Sequence, residues 1–222
     1  MLKLYGFDVS NYYNMVKMAM AIKGIEYEAV HTYPNQSPEY LAICPTGKVP
    51  CLQTPEGVIA ETNAILEYLD ESYAQSSLIW GNAFEKAQIR ELMKMVELYI
   101  ELPARRCHAE AFWGVQGEEL TKKEVKLALK NGMQFIARTA SFSPYLMGDK
   151  ISAADIMFMY SVNLASGVAK KLFDIDLLSL APGAQELMQT LNSMPEAQVI
   201  AADLQEATPA FQAYLQAAFA KK

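Results

Sequence analysis

Polarity along the first 75 residues changes with a period of two in short stretches, and one longer stretch with helical spacing interrupts them. Residues 2–6 read as a buried strand, and residues 11–23 read as a helix, with Met15, Val16, Ala19, Met20 and Ile22 at helical spacing and Gly24 able to close it. The stretch IEYEAVHTY alternates like a second strand and is followed by a polar loop, PNQSPEY. VPCLQT and GVIAE then read as two short strands joined through the turn Pro55-Glu56-Gly57, and a helix runs from Thr62 to about Tyr73. Past a polar interruption at residues 74–77 the alternation does not return. Helical patterns cover 84–112, 118–140, 152–170 and 183–193, with a short helix after Pro195 and an apolar tail, FQAYLQAAF. The pattern therefore predicts an α/β unit over residues 1–76, a linker over 77–84 and an all-α unit over 85–222.

Composition agrees with two folded units. In 222 residues, 52% are hydrophobic and 20% charged, which supplies a large core and excludes wholesale disorder. Residues 1–75 hold four Lys against nine Asp and Glu, so the acidity behind the net charge of -6 is concentrated at the front. No run of five or six basic residues offers the counterion release that nucleic-acid binding needs, so no nucleic-acid partner is expected. The start, MLKLYGF, lacks the pattern of an export signal, and no apolar run reaches the roughly 18 residues of a membrane span. A cytoplasmic protein with no membrane partner is expected. Three cysteines without a CxxC pair argue against a disulfide framework, and two distant histidines give no metal-ligand spacing, so no metal is expected.

Four separated stretches, KLYGFDVSNYYNMVKMA, CPTGKVPCL, ETNAILEYLDE and GDKISAADI, resemble the soluble glutathione transferase family in order and spacing across nearly the full length. The resemblance implies a thioredoxin-like N-terminal domain that binds glutathione as co-substrate, followed by an all-α helical bundle. In GKVP it implies a cis proline, so that the backbone NH and CO of Val49 before Pro50 meet the cysteinyl part of glutathione as an added strand would. Glu61-Thr62 matches the pair that holds the γ-glutamyl carboxylate at a helix N-terminus, where partial positive charge and unsatisfied NH groups favour an anion. Read without the resemblance, Thr62 is a helix cap. Lys48 and Gln36 fall where the family makes further polar contacts to glutathione. Ser152 and Asp155, three residues apart, form a capping box that starts a buried helix and is structural.

Glutathione transfer needs a thiolate, and a thiol with a pKa near 8.5 is only a few per cent ionised at neutral pH. Lowering that pKa by about two units takes roughly 2.7 kcal/mol, about what a hydroxyl hydrogen bond and a helix N-terminus supply together. By resemblance Ser10, opening the first helix, is the catalytic hydroxyl, with Tyr5, Tyr12 and Tyr13 as alternates. Ser10 is equally placed to cap that helix. The family places an electrophile pocket between the two units, which assigns Tyr99, His108, Phe112 and Tyr160 to it. The function implied is attack of the glutathione thiolate on small hydrophobic electrophiles, in detoxification, by a homodimer. Glutathione-dependent peroxide reduction or isomerisation is the alternative within the same chemistry. A non-catalytic binding or regulatory protein of the stringent-starvation type is the alternative outside it.

Overall fold

In the computed structural model, which describes residues 1–219, the N-terminal alternation becomes a four-stranded sheet of order β2-β1-β3-β4. Strand β1 (Leu2–Gly6) pairs in parallel with β2 (Tyr27–His31) and antiparallel with β3 (Cys51–Gln53), which pairs antiparallel with β4 (Val58–Ala60). Helix α1 (Asn11–Lys23) makes the β1–β2 crossover and ends, as expected, at Gly24 with φ +63°. The one-turn helix α2 (Pro38–Leu41) forms inside the expected polar loop, because the Ser37 hydroxyl accepts the Tyr40 N–H (3.2 Å) and Pro38 presets the first helical φ. Helix α3 (Thr62–Ser72) follows β4. Leu4, Val16, Met20, Leu52, Ile65 and Leu69 of α1, α3 and the sheet form its core. Lys23 Nζ, withdrawn from solvent, joins α1 to α3 through Asp70 (3.0 Å).

The second unit, Leu78–Asn192, is helical. Its expected 84–112 helix is broken into α4 (Ala83–Val96), a π-helical turn (Glu97–Glu101), α5 (Leu102–Arg106) and α6 (His108–Trp113). Pro103 has no N–H for the Tyr99 carbonyl, so the regular ladder cannot continue through that turn. Gly132 of α7 (Glu119–Thr139) packs there, and a Cβ on it would lie 2.5 Å from the Tyr99 carbonyl oxygen. Helix α8 (Ala153–Phe173) is buried over most of its first half, and α9 (Ala184–Asn192) completes the unit.

The end of the chain differs from the expectation. The short helix and apolar tail are one helix, α10 (Pro195–Phe219), with Pro209 inside it. Pro209 and Gln205, whose carbonyl loses its partner there, are both exposed, so water can take the place of the missing bond. Helix α10 groups with Met1–Ser77 and not with the helical domain expected over 85–222, whose last three residues lie outside the described ones. Aromatic contacts hold it there: Phe211 packs on Phe7 (5.0 Å between centroids) and Tyr214 stacks on Tyr33 (4.0 Å). Among the described residues no helix is long and apolar enough to cross a membrane.

Candidate active site

The sheet register brings three distant segments to one end of the sheet. Tyr5 of β1 is opposite Cys51 of β3, and Cys51 is opposite Ala60 of β4. The residues just beyond that row are Gly6 and the turn to Ser10, then Pro50 and Val49, then Glu61 and Thr62. Adjacent strands lie about 4.8 Å apart, so the three ends span about 10 Å, the length of an extended tripeptide.

Ser10 is the N-cap of α1, with φ -79° and ψ 115°. Its N–H donates to the Phe7 carbonyl (3.0 Å), and its hydroxyl oxygen accepts the Tyr13 N–H at 3.4 Å, a long bond. A serine hydroxyl that accepts a cap bond keeps its own proton to donate elsewhere, so capping and thiol activation are compatible. The alternates differ in surroundings. The Tyr5 hydroxyl donates to Gln53 Oε1 (2.8 Å) from a ring packed near Tyr40, Cys44 and Cys51. Tyr13 is buried against Gly6, and burial pushes its phenol well above the ordinary tyrosine value. Tyr12 is half-buried in the first turn of α1.

The Val49–Pro50 peptide is cis, as the resemblance implies. Neither the N–H nor the C=O of half-buried Val49 is hydrogen-bonded to another described residue. The preceding Lys48 carbonyl accepts the Tyr40 hydroxyl (2.8 Å) and the Cys44 thiol (3.3 Å), which holds this loop from below. Burial pushes the thiol of neighbouring Cys51 strongly up and keeps it protonated. Gly47, at φ +62°, lets the Gln36 side chain and Asn35 carbonyl approach so closely that a Cβ would collide with both. Gln36 and Lys48 are therefore neighbours on one exposed rim.

Thr62 is the first residue of α3 and is buried; the cap position belongs to Glu61, whose side chain makes no capping bond. The cap position that Thr62 has on sequence grounds thus falls to its neighbour, which does not cap with its side chain. Glu61 has φ +71° and ψ 121°, a conformation that costs a non-glycine residue about 1–3 kcal/mol. Glu61→Gly should accordingly be more stable than Glu61→Ala by about 1 kcal/mol, with the native protein near the alanine variant. Equal urea midpoints for the two variants would show that this backbone is unstrained.

In the helical unit, His108 packs on Phe112 (4.9 Å) and Trp113 (4.7 Å), and Lys171 Nζ lies 4.2 Å from the Phe112 ring centre. Burial first, then Arg105 and Lys171, push His108 down to about 4, so it is neutral at physiological pH. Tyr160 is buried, and its hydroxyl has no partner among the described residues. Tyr99, by contrast, is 42% exposed and packs edge-on against Phe135 (5.3 Å). His108 and Phe112 thus form one cluster, and Tyr99 belongs to another.

Sequence reading missed Lys17, whose Nζ bonds Asp8 (2.5 Å) in the Ser10 turn and Asp203 (2.8 Å) on α10. No spacing rule connects residues 186 apart in the chain.

Residues 4–77 match the family model described as glutathione S-transferase, N-terminal domain. The chain is 44% identical over 211 residues to a glutathione S-transferase of Pseudomonas putida, covering 95% of this chain and 96% of that one. It is 27% identical over 164 residues to a maleylacetoacetate isomerase of Pseudomonas aeruginosa, covering 70% and 77% of the two chains. The crystal structure of a glutathione S-transferase from Rhodospirillum rubrum shares the fold, with a TM-score of 0.73, 24% identity and coverage of 90% and 91%. Identity of 44% over almost the whole of both chains shows that the chain belongs to the glutathione S-transferase family.

Proposed function

We propose that this glutathione S-transferase ionises the glutathione thiol with the Ser10 hydroxyl and directs the thiolate at a small hydrophobic electrophile. The observation that supports the reading is the Tyr5–Cys51–Ala60 row, since the strand ends leading to Ser10, Val49 and Glu61-Thr62 lie along one end of the sheet, over about 10 Å. Val49 offers an N–H and a C=O to the cysteinyl unit, and the start of α3 offers N–H donors to the γ-glutamyl carboxylate. Lys48 and Gln36 face the glycine end. Pro50 shapes the loop, and Thr62 adds a hydroxyl. On the electrophile side the same reading places Tyr99, His108, Phe112 and Tyr160.

The reading continues to a cytoplasmic homodimer that acts in detoxification. Three buried free cysteines suit a reducing compartment, and Leu98 and Leu102, one helical turn apart and exposed by 47% and 45%, lie on an apolar face that a second copy would cover. Glutathione should bind the purified protein saturably in calorimetry, with Glu61→Ala weakening it several-fold, and aryl halides should be turned over. Absence of binding sinks the reading, and binding without turnover of any electrophile favours a carrier or regulatory role.

Isomerisation is the second reading, favoured by the likeness to the maleylacetoacetate isomerase. The same thiolate would add to an activated double bond and leave again after rotation about it. Activated cis-alkenes tested beside aryl halides and hydroperoxides separate the two.

A further inference from the structure

The turn that presents Ser10 is tied down more firmly than a surface turn requires. Asn14, fully buried, donates from Nδ2 to the Asp8 carbonyl (2.8 Å), and its own backbone N–H donates to the Ser10 carbonyl (2.9 Å). Lys17, one helical turn further on, sends its ammonium to the Asp8 carboxylate at 2.5 Å and to Asp203 of α10 at 2.8 Å. Its side chain is only 11% exposed, against 32% for Asp8 and 42% for Asp203. Burial works against the charge on Lys17, but the hydrogen bonds to Asp203 and Asp8 outweigh it and hold its pKa above the ordinary lysine value. The ammonium is therefore a permanent feature of the neutral-pH protein.

Two carboxylates share this one cation, and the nearer of them stands beside the reactive centre. Asp8 is two residues from Ser10, so their Cα atoms lie within about 7 Å of each other. An unscreened carboxylate in the same turn disfavours a second negative charge nearby, and a thiolate held by Ser10 is such a charge. The other groups around Lys17 do not replace it as a countercharge. Tyr13 puts its ring 5.7 Å from Nζ, and Tyr27, His31, Glu196 and Glu206 line the same groove of about 960 Å³ between β2, α1 and α10. Apart from His31, whose imidazole is exposed, each of these is neutral or acidic.

We propose that Lys17 is a positioning residue for thiol activation: it fixes the Asp8 turn that carries Ser10 and screens the Asp8 carboxylate from the glutathione thiolate, with Asp203 on the C-terminal helix setting how much of its charge Asp8 receives. The inference rests on the reading that places the sulfur at Ser10. It makes the C-terminal helix, 186 residues away in sequence, an electrostatic partner of the thiol site.

The test is the pH dependence of kcat/KM for an aryl halide, and the ultraviolet thiolate absorbance of the glutathione complex, in Lys17→Met, Lys17→Arg and Asp203→Asn, with thermal midpoints alongside. Lys17→Met leaves both carboxylates uncompensated and should raise the apparent thiol pKa by about 0.5–1 unit. Lys17→Arg should keep the native profile. Asp203→Asn gives Asp8 the whole of the ammonium and should lower the pKa below the native value, although it also removes an ion pair and lowers the thermal midpoint. A purely structural tie would lower both midpoints and leave the thiol pKa unmoved, or move it the same way in Lys17→Met and Asp203→Asn; either result overturns the proposal. Should Lys17→Met fail to fold, a lowered pKa in Asp203→Asn supports the proposal and a native or raised one overturns it. Ser10→Ala, run in parallel, separates the underlying reading: an unchanged pKa there discards Ser10 as the donor, whatever the Lys17 variants do.

Discussion

Replacing Ser10 with alanine should cut kcat/KM for glutathione conjugation by about 10- to 100-fold at pH 6.5, with the deficit fading towards pH 9. A hydrogen bond to a charged group contributes about 1.5–3 kcal/mol, and at 1.36 kcal/mol per unit its loss raises the bound thiol's pKa by about one to two units. Once the pH exceeds the raised value, both proteins carry the thiolate and the difference shrinks. The same substitution removes a helix cap, but the cap bond is 3.4 Å long, so the stability loss should sit near the low end of the usual range, about 0.5 kcal/mol. A cap effect has no reason to follow the thiol's ionisation. An unchanged pH profile in Ser10→Ala would eliminate the serine and move attention to Tyr12, because Tyr5 already donates to Gln53 and the Tyr13 phenol is buried.

Apart from the one-turn helix α2, which lies in a stretch read as loop, the elements of residues 1–76 were legible because each has a simple period. Leu2 and Leu4 alternate inward on β1, Val16 and Met20 repeat at helical spacing on α1, and Gly24 ends that helix in the left-handed region. The sheet order was not legible from polarity, since a two-residue period says which face is buried and not which strand lies alongside. What set Ser10, Val49 and Glu61 side by side on paper was resemblance; in the structure it is the register of Tyr5, Cys51 and Ala60.

Two departures have local causes. Pro103 imposes a π-helical turn on a helix whose backbone stays helical on either side of it, and Pro209 leaves intact a helix it would be expected to end. The difference lies in surroundings: Pro103 is half-buried beside the Gly132 contact with Tyr99, whereas Pro209 and Gln205 are exposed and hydrated. The docking of α10 on Phe7, Tyr33 and Lys17 depends on contacts across most of the chain, which no local pattern encodes. The capping box at Ser152 was legible, being a matter of four consecutive residues.

That box carries the largest stability effect expected in the chain. Asp155 is fully buried, and its carboxylate accepts the Leu146 N–H (2.7 Å), the Ser152 N–H (2.8 Å) and the Ser152 hydroxyl (2.7 Å). Asp155→Ala leaves three buried donors without an acceptor, and each costs about 1–3 kcal/mol when nothing replaces it. Relaxation and water entry recover part of that, so a loss of about 3–5 kcal/mol is expected, a large share of the 5–15 kcal/mol that holds a typical protein together. The damage would not stay local, because Asp155 sits in the first turn of α8, which supplies Ile156, Met157 and Phe158 to the core of its unit. Ser152→Ala deletes the hydroxyl, which donates to the Asp155 carboxylate and accepts the Asp155 N–H, but keeps both backbone N–H bonds to that carboxylate, so it should cost about 1 kcal/mol. Urea unfolding of the two variants checks the ordering. A loss below 1 kcal/mol in Asp155→Ala would mean that water already satisfies those donors, and the box would then be dispensable to the helix it begins.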